Sequence, residues 1–198
     1  MNAQNKVSGV VLAGGLARRM QQQDKGLVLF NGRPLVSYAL AALQPLVDEI
    51  LISANRNQEV YGRFGYPVLG DNRPGFDGPL AGILAAMQSA RNSWLLVTPC
   101  DSPLLNSWHL ERLLLGLQAG VDVATAFDGE RLHPVFMALK CELQPNLQHY
   151  LQSGERKLQV WLQQQNWARV DFSDVPDIFT NINTLTELTA LEQKRVGE

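Results

Sequence analysis

Between Val7 and Phe127 the chain alternates two kinds of apolar pattern, and that alternation restricts its fold more than any other feature. VSGVVLA (7–13), EILISAN (49–55), YPVLGD (66–71), SWLLVTPCD (93–101) and VDVATAF (121–127) are short, apolar and rich in β-branched residues, as buried strands are. Between them, PLVSYALAAL (34–43), NQEVYGRFG (57–65), PLAGILAAMQSA (79–90) and NSWHLERLLLGLQAG (106–120) carry helical spacing, the last stopped by glycine. A β-α-β-α rhythm requires crossover connections, which produce a largely parallel sheet covered by helices on both faces. The expected architecture is a three-layer α/β/α fold.

The remainder is less regular. LHPVFMAL (132–139) reads as a strand, of antiparallel character, and ARVDF (168–172) as a short strand. CELQPNLQHYLQSG (141–154) and KLQVWLQQQ (157–165) read as helices. Thr184 and Glu187 fit a capping box for a final helix, LTELTALEQ. No repeat, linker or low-complexity tract interrupts the 198 residues, so a single domain over 1–198 is the economical expectation.

A net charge of -2 supplies no overall field to recruit nucleic acid or an acidic membrane, so anion binding has to come from a local cluster. Cys100 and Cys141 lack any metal-type spacing and suit a reducing compartment. No apolar run approaches the ~20 residues of a membrane span. The Arg18-Arg19 pair follows the apolar segment instead of preceding it, unlike a twin-arginine signal. A cytoplasmic protein is expected.

Open parallel sheets bind ligands where loops leave the C-terminal ends of their strands. On that edge the pattern places LAGGLARRM, the Asp71 segment and PCDSP. Gly14 and Gly15 let backbone amides approach a phosphate closely, with Arg18, Arg19 and Lys25 at hand to neutralise it. The loop is neither a Walker A motif nor a GxGxxG fingerprint, and on its own a glycine turn with surface arginines explains it equally well. Asp71 and Asp101 each end a strand, where a carboxylate can hold Mg²⁺ together with substrate phosphates. For one such aspartate a solvated turn residue is the better explanation; two beside a cationic glycine loop favour a metal–nucleotide site. Gly78-Pro79-Leu80-Ala81-Gly82 opens a helix that either meets substrate or simply packs closely. His133 stands alone and is more readily structural than catalytic. The residues by themselves lead to a Mg²⁺-dependent nucleotide or phosphate site, with neither base nor reaction specified.

LAGGLARRM followed by Asp24-Lys25-Gly26 resembles the signature of a nucleotidyltransferase superfamily. NGRPL (31–35), SANR (53–56), GPLAG (78–82), PCDSP (99–103), DGERLHP (128–134) and NINT (181–184) are similar to segments of the molybdenum cofactor guanylyltransferase family. The resemblance runs from Val10 to Thr184. It implies a Rossmann-like nucleotidyltransferase fold and transfer of GMP from GTP to the terminal phosphate of Mo-molybdopterin, with pyrophosphate leaving. By the same resemblance, GTP lies on Leu12, Ala13, Gly14 and Gly15, with Ser53 and Asp71 in the nucleoside pocket. Lys25 then contacts the phosphates and Asp101 is the Mg²⁺ ligand. Arg19, Lys25 and Asp101 are the implied catalytic residues. Arg156, Asn181 and Asn183 are candidates for the molybdopterin side, although turn formation explains the asparagines as well. Molybdenum-insertion proteins and apo-molybdoenzymes are the implied partners.

Two departures stand out. Gln21, with Gln22 and Gln23, occupies the place where the family usually has glycine, and Ser53 stands where some relatives have asparagine. A cytidylyltransferase acting on the same cofactor, or a nucleotide-binding protein without turnover, remains open at this point.

Overall fold

The computed structural model describes residues 6–13, 24–70, 78–180, 182 and 185–196. Gly14, Gly15, Arg19, Asp71, Asn181, Asn183 and Thr184, and with them the glutamine run, lie outside the described residues.

The strands are β1 (Val7–Leu12), β2 (Leu29–Phe30), β3 (Arg33–Pro34), β4 (Glu49–Ser53), β5 (Val68–Leu69), β6 (Trp94–Pro99), β7 (Val123–Phe127), β8 (Leu132–Lys140) and β9 (Trp167–Asp171). The helices are α1 (Leu35–Leu43), α2 (Gln58–Gly62), α3 (Pro79–Ser89), α4 (Ser107–Gln118), α5 (Gln144–Gln152), α6 (Leu158–Leu162) and α7 (Leu185–Val196). Seven strands form one sheet in the order β5-β4-β1-β6-β8-β7-β9. All are parallel except β8, which pairs antiparallel with both β6 and β7. The expected architecture is therefore present, and the antiparallel strand is the one over 132–140.

Period-two alternation explains the two-sided core. Val7 and Val11, Ile50 and Ile52, and Leu96 face α1 and α4, meeting Val36, Leu40, Leu43, Leu110, Leu113 and Leu117. Val10, Leu51, Leu95 and Val97 face the opposite side, against Leu80, Ile83 and Met87 of α3 and the α5–α6 pair, with Trp161 fully buried. Polar residues would leave one of these layers unpacked, which is why the central strands read as continuous apolar runs.

Two local features depart from the expectation. Residues 29–34 form a small hairpin, β2–β3, turning on Asn31 (φ 47°) and Gly32 (φ 73°). An Asn-Gly turn with both residues at positive φ is the favoured two-residue hairpin connection, and Pro34 ends the second strand instead of opening the helix. Further on, Thr125 pairs with Met137 while its neighbour Ala126 pairs with His133, so β8 bulges between those two positions. Bulges re-aim a strand. Because β8 runs antiparallel, its 132–134 end lies at the edge where the parallel strands terminate.

Candidate nucleotide site

Leu12, Ser53, Leu69 and Pro99 end adjacent parallel strands, and their backbones are tied together at the edge. Ala13 N–H donates to Ser53 O (2.8 Å), Ala54 N–H to Leu69 O (2.8 Å) and Cys100 N–H to Leu12 O (3.2 Å). The edge is thus a continuous hydrogen-bonded rim. Leu12, Ala13 and Ser53, three of the expected nucleotide contacts, stand on it side by side. Above Ser53 lies the first part of α3. A Cβ built on Gly82 would stand 2.5 Å from Ser53 Oγ and 3.2 Å from Leu12 Cδ2. Glycine there brings α3 down onto the rim, so close approach to the sheet is one part the GPLAG segment plays.

Asp101 lies two residues past the end of β6. Lys25 Nζ donates to Asp101 Oδ2 at 2.9 Å, joining residues 76 positions apart. Both side chains are mostly shielded, at 19% and 13% exposure. Sequence reasoning placed both residues at this edge, and the fold brings them into contact. Backbone N–H of Ile182 donates to Asp101 O (3.2 Å), so the segment leading to α7 closes over the same loop.

Cys100, between Pro99 and Asp101 in the chain, is buried. Burial pushes its thiol well above the ordinary range, with Asp101 and Asp24 adding to the effect against Lys25. A thiol held protonated is a packing group and not a nucleophile. Among the described residues no three His, Cys, Asp or Glu side chains cluster to hold a metal. The Asp101 carboxylate offers oxygen ligands of the kind Mg²⁺ takes, and in this structure its Oδ2 is engaged by Lys25.

His133 lies further along the same edge. Its Nε2 is 2.6 Å from Asp128 Oδ2, and its ring stacks on Phe179 at 4.0 Å and 7°. The His133 contact, followed by N–H donors from Arg131 and Glu130, holds the Asp128 carboxyl well below the usual range. The histidine is thus held between a carboxylate and an aromatic ring. Arg156 donates to the carbonyls of Leu151 (2.8 Å) and Glu155 (2.7 Å), binding the loop after α5 to that helix's last turn. Three residues with no role assigned from sequence also belong here: Asp24, Asn57 and Tyr61, hydrogen-bonded together beside Lys25. Only Asp24 could have been suspected, from its place in the DKG segment.

The MobA-like NTP transferase domain matches the chain over residues 9–170. The molybdenum cofactor guanylyltransferase of Shewanella putrefaciens is 45% identical over 91% of this chain and 93% of its own length. That of Shewanella piezotolerans is 42% identical over 97% and 95%. Among solved structures, molybdopterin-guanine dinucleotide biosynthesis protein A from Archaeoglobus fulgidus superposes with a TM-score of 0.81 at 23% identity, covering 96% of this chain and 100% of that one. At that identity the superposition speaks for the fold. The nucleotidyl transferase of Methanothermobacter thermautotroptrophicus shares the fold as well, at a TM-score of 0.75. With the rim, Lys25 and Asp101 all inside the matched span, the chain belongs to the MobA-like NTP transferases and, within them, to the molybdenum cofactor guanylyltransferase family.

Proposed function

We propose that this protein transfers GMP from GTP to the terminal phosphate of Mo-molybdopterin, releasing pyrophosphate and forming the guanine dinucleotide cofactor. The observation that carries the reading is the contact of Lys25 with Asp101 at 2.9 Å, on the rim formed by Leu12, Ala13 and Ser53. The names of the relatives add the guanylyl group and the acceptor.

The chemistry follows from charge. The acceptor phosphate is already an anion and needs little help from a base. Its obstacle is repulsion from the triphosphate, so the residues that matter are those that neutralise and align. In this reading Leu12 and Ala13, with Gly14 and Gly15, seat the nucleotide against the strand ends, while Ser53 and Asp71 border the nucleoside. Lys25 leaves its partner Asp101 to meet the phosphates, and Arg19 adds a second cation. Asp101 is the residue that would hold Mg²⁺, which supplies charge neutralisation and orientation to the phosphates when bound. Arg156, Asn181 and Asn183 are assigned to the molybdopterin side. A molybdenum-insertion protein as donor and an apo-molybdoenzyme as recipient, in the cytoplasm, complete the proposal. The described residues contain no helix long and apolar enough to cross a membrane.

The test is incubation of the purified protein with molybdopterin, Mg²⁺ and each labelled nucleoside triphosphate in turn. Transfer from GTP should exceed transfer from CTP, and Asp101→Ala should lose about a hundredfold or more in turnover while still binding GTP. Preferential use of CTP would overturn the guanylyl assignment. Undiminished turnover of the Asp101 variant would remove that residue from the metal site.

A further inference from the structure

Lys25 sits on a single 3-10 turn, Lys25–Leu27, with Asp24 as its cap. That turn is held by groups from a different part of the chain. Asp24 Oδ1 accepts from Gly26 N–H (3.3 Å) and from the Tyr61 hydroxyl (2.5 Å). Oδ2 of the same carboxylate accepts from Asn57 Nδ2 (3.1 Å). Tyr61 is fully buried, and Asn57 takes the left-handed conformation (φ 49°) that begins α2. The carbonyl of Asn57 in turn accepts from the N–H groups of Val60 and Tyr61, locking the two donors into one unit.

We infer that Tyr61 and Asn57 are positioning residues for Lys25: through Asp24 they fix the turn that aims the lysine at the phosphates. The inference rests on the phosphate-binding role assigned to Lys25 above. It goes beyond that role by naming the groups that set the lysine's place.

The carboxylate next to the lysine is a hazard unless it is occupied, because a bare Asp24 would compete with phosphate for the ammonium group. Three donors on its two oxygens turn it from a competitor into an anchor. The Tyr61 hydroxyl keeps its proton throughout the physiological range: burial pushes its pKa well above the ordinary value, with Cys100 and Asp24 reinforcing the shift. It is therefore a permanent donor. The third residue of the DKG segment is explained by the same contact, since a Cβ on Gly26 would collide with the Tyr61 hydroxyl and lie 3.3 Å from Cys100 Sγ. The turn can sit this deep only because that side chain is absent.

The test is a mutant cycle on the full chain, reading equilibrium binding of GTP and, separately, of guanosine. Tyr61→Phe should weaken GTP about 5–20-fold and guanosine by less than about twofold, because one buried hydrogen bond is lost on the phosphate side alone. In a Lys25→Ala background the same substitution should change GTP affinity by less than about twofold, the non-additivity expected of groups acting through one residue. Asn57→Gly keeps the left-handed backbone, removes the second donor and should reproduce the pattern at smaller size, so the inference stays testable if Tyr61→Phe folds poorly. Equal losses in both backgrounds, or equal losses for GTP and guanosine, would overturn it. Unaltered GTP binding by Lys25→Ala alone would instead remove the lysine's own phosphate role, and the inference with it.

Discussion

Gly82 shows how little room a single side chain has at this site. With Ser53 Oγ 2.5 Å from where its Cβ would lie, Gly82→Ala forces the serine to turn or α3 to lift. A serine rotation is the cheaper response, so the stability loss should be about 1–2 kcal/mol in a urea titration, while GTP binding weakens because the rim is reshaped. Unchanged affinity would show that Ser53 and the helix start lie away from the nucleoside. At this scale the sequence was informative about charge and uninformative about support. Lys25 and Asp101 could be read because a cation after a glycine loop and a carboxylate after a strand are unusual together. Tyr61 could not. A tyrosine in NQEVYGRFG carries no mark of its partner 37 positions away.

The elements were legible where apolar periodicity is long, as in α3, α4 and β6, and indistinct where capping or turn chemistry decides. The β2–β3 hairpin escaped the reading although Asn31-Gly32 spells its turn, because two-residue strands carry no periodicity. Helix α4 has a concealed start of the same kind. Asn106 accepts from His109 N–H at 3.4 Å, and Asn106 N–H donates to His109 Nδ1 at 3.1 Å, a capping box with histidine where Glu or Gln is usual. The box requires a neutral ring. Burial, with Arg112 adding and Asp174 opposing, lowers the His109 pKa from 6.5 to about 4. Between those values the unfolded chain binds more protons than the folded one. Stability should therefore be full above about pH 6.5, fall by on the order of 1–3 kcal/mol as the pH drops to 4, and level off below. His109→Gln, which retains an acceptor and cannot titrate, should flatten that part of a Tm-against-pH curve.

At the scale of the whole molecule, the alternating runs were enough to give the layers, but strand order was beyond them. Nothing in LHPVFMAL says that it inserts between β6 and β7, since pairing partners are chosen by packing across the sheet. The same holds for the C-terminal helix. Ile182 and Leu188 pack with Val28, Phe30 and Leu35, and Glu192 Oε1 accepts from Asn31 N–H at 2.8 Å. A helix from the far end of the sequence thus covers the hairpin that follows the Lys25 turn. Leu188→Ala should cost about 2–4 kcal/mol. It should also speed amide exchange over Val28–Leu35 more than over β6, as measured by hydrogen exchange and mass spectrometry. Uniform deprotection would show that the two regions open together.

The ion pair of Lys25 with Asp101 spans 76 positions, and the contact of Asn31 with Glu192 spans 161. The β1–β6 pairing already joins residues at least as far apart as Lys25 and Asp101, so of the two contacts it is Asn31 with Glu192 that closes the markedly longer loop and forms late. A chain that has collapsed around β1, β4 and β6 but has not yet docked α7 would hold most of its secondary structure while the hairpin after its lysine turn lacked a cover. Regain of GTP binding during refolding should then trail the recovery of helical circular dichroism, making nucleotide capture the timekeeper of the last folding step.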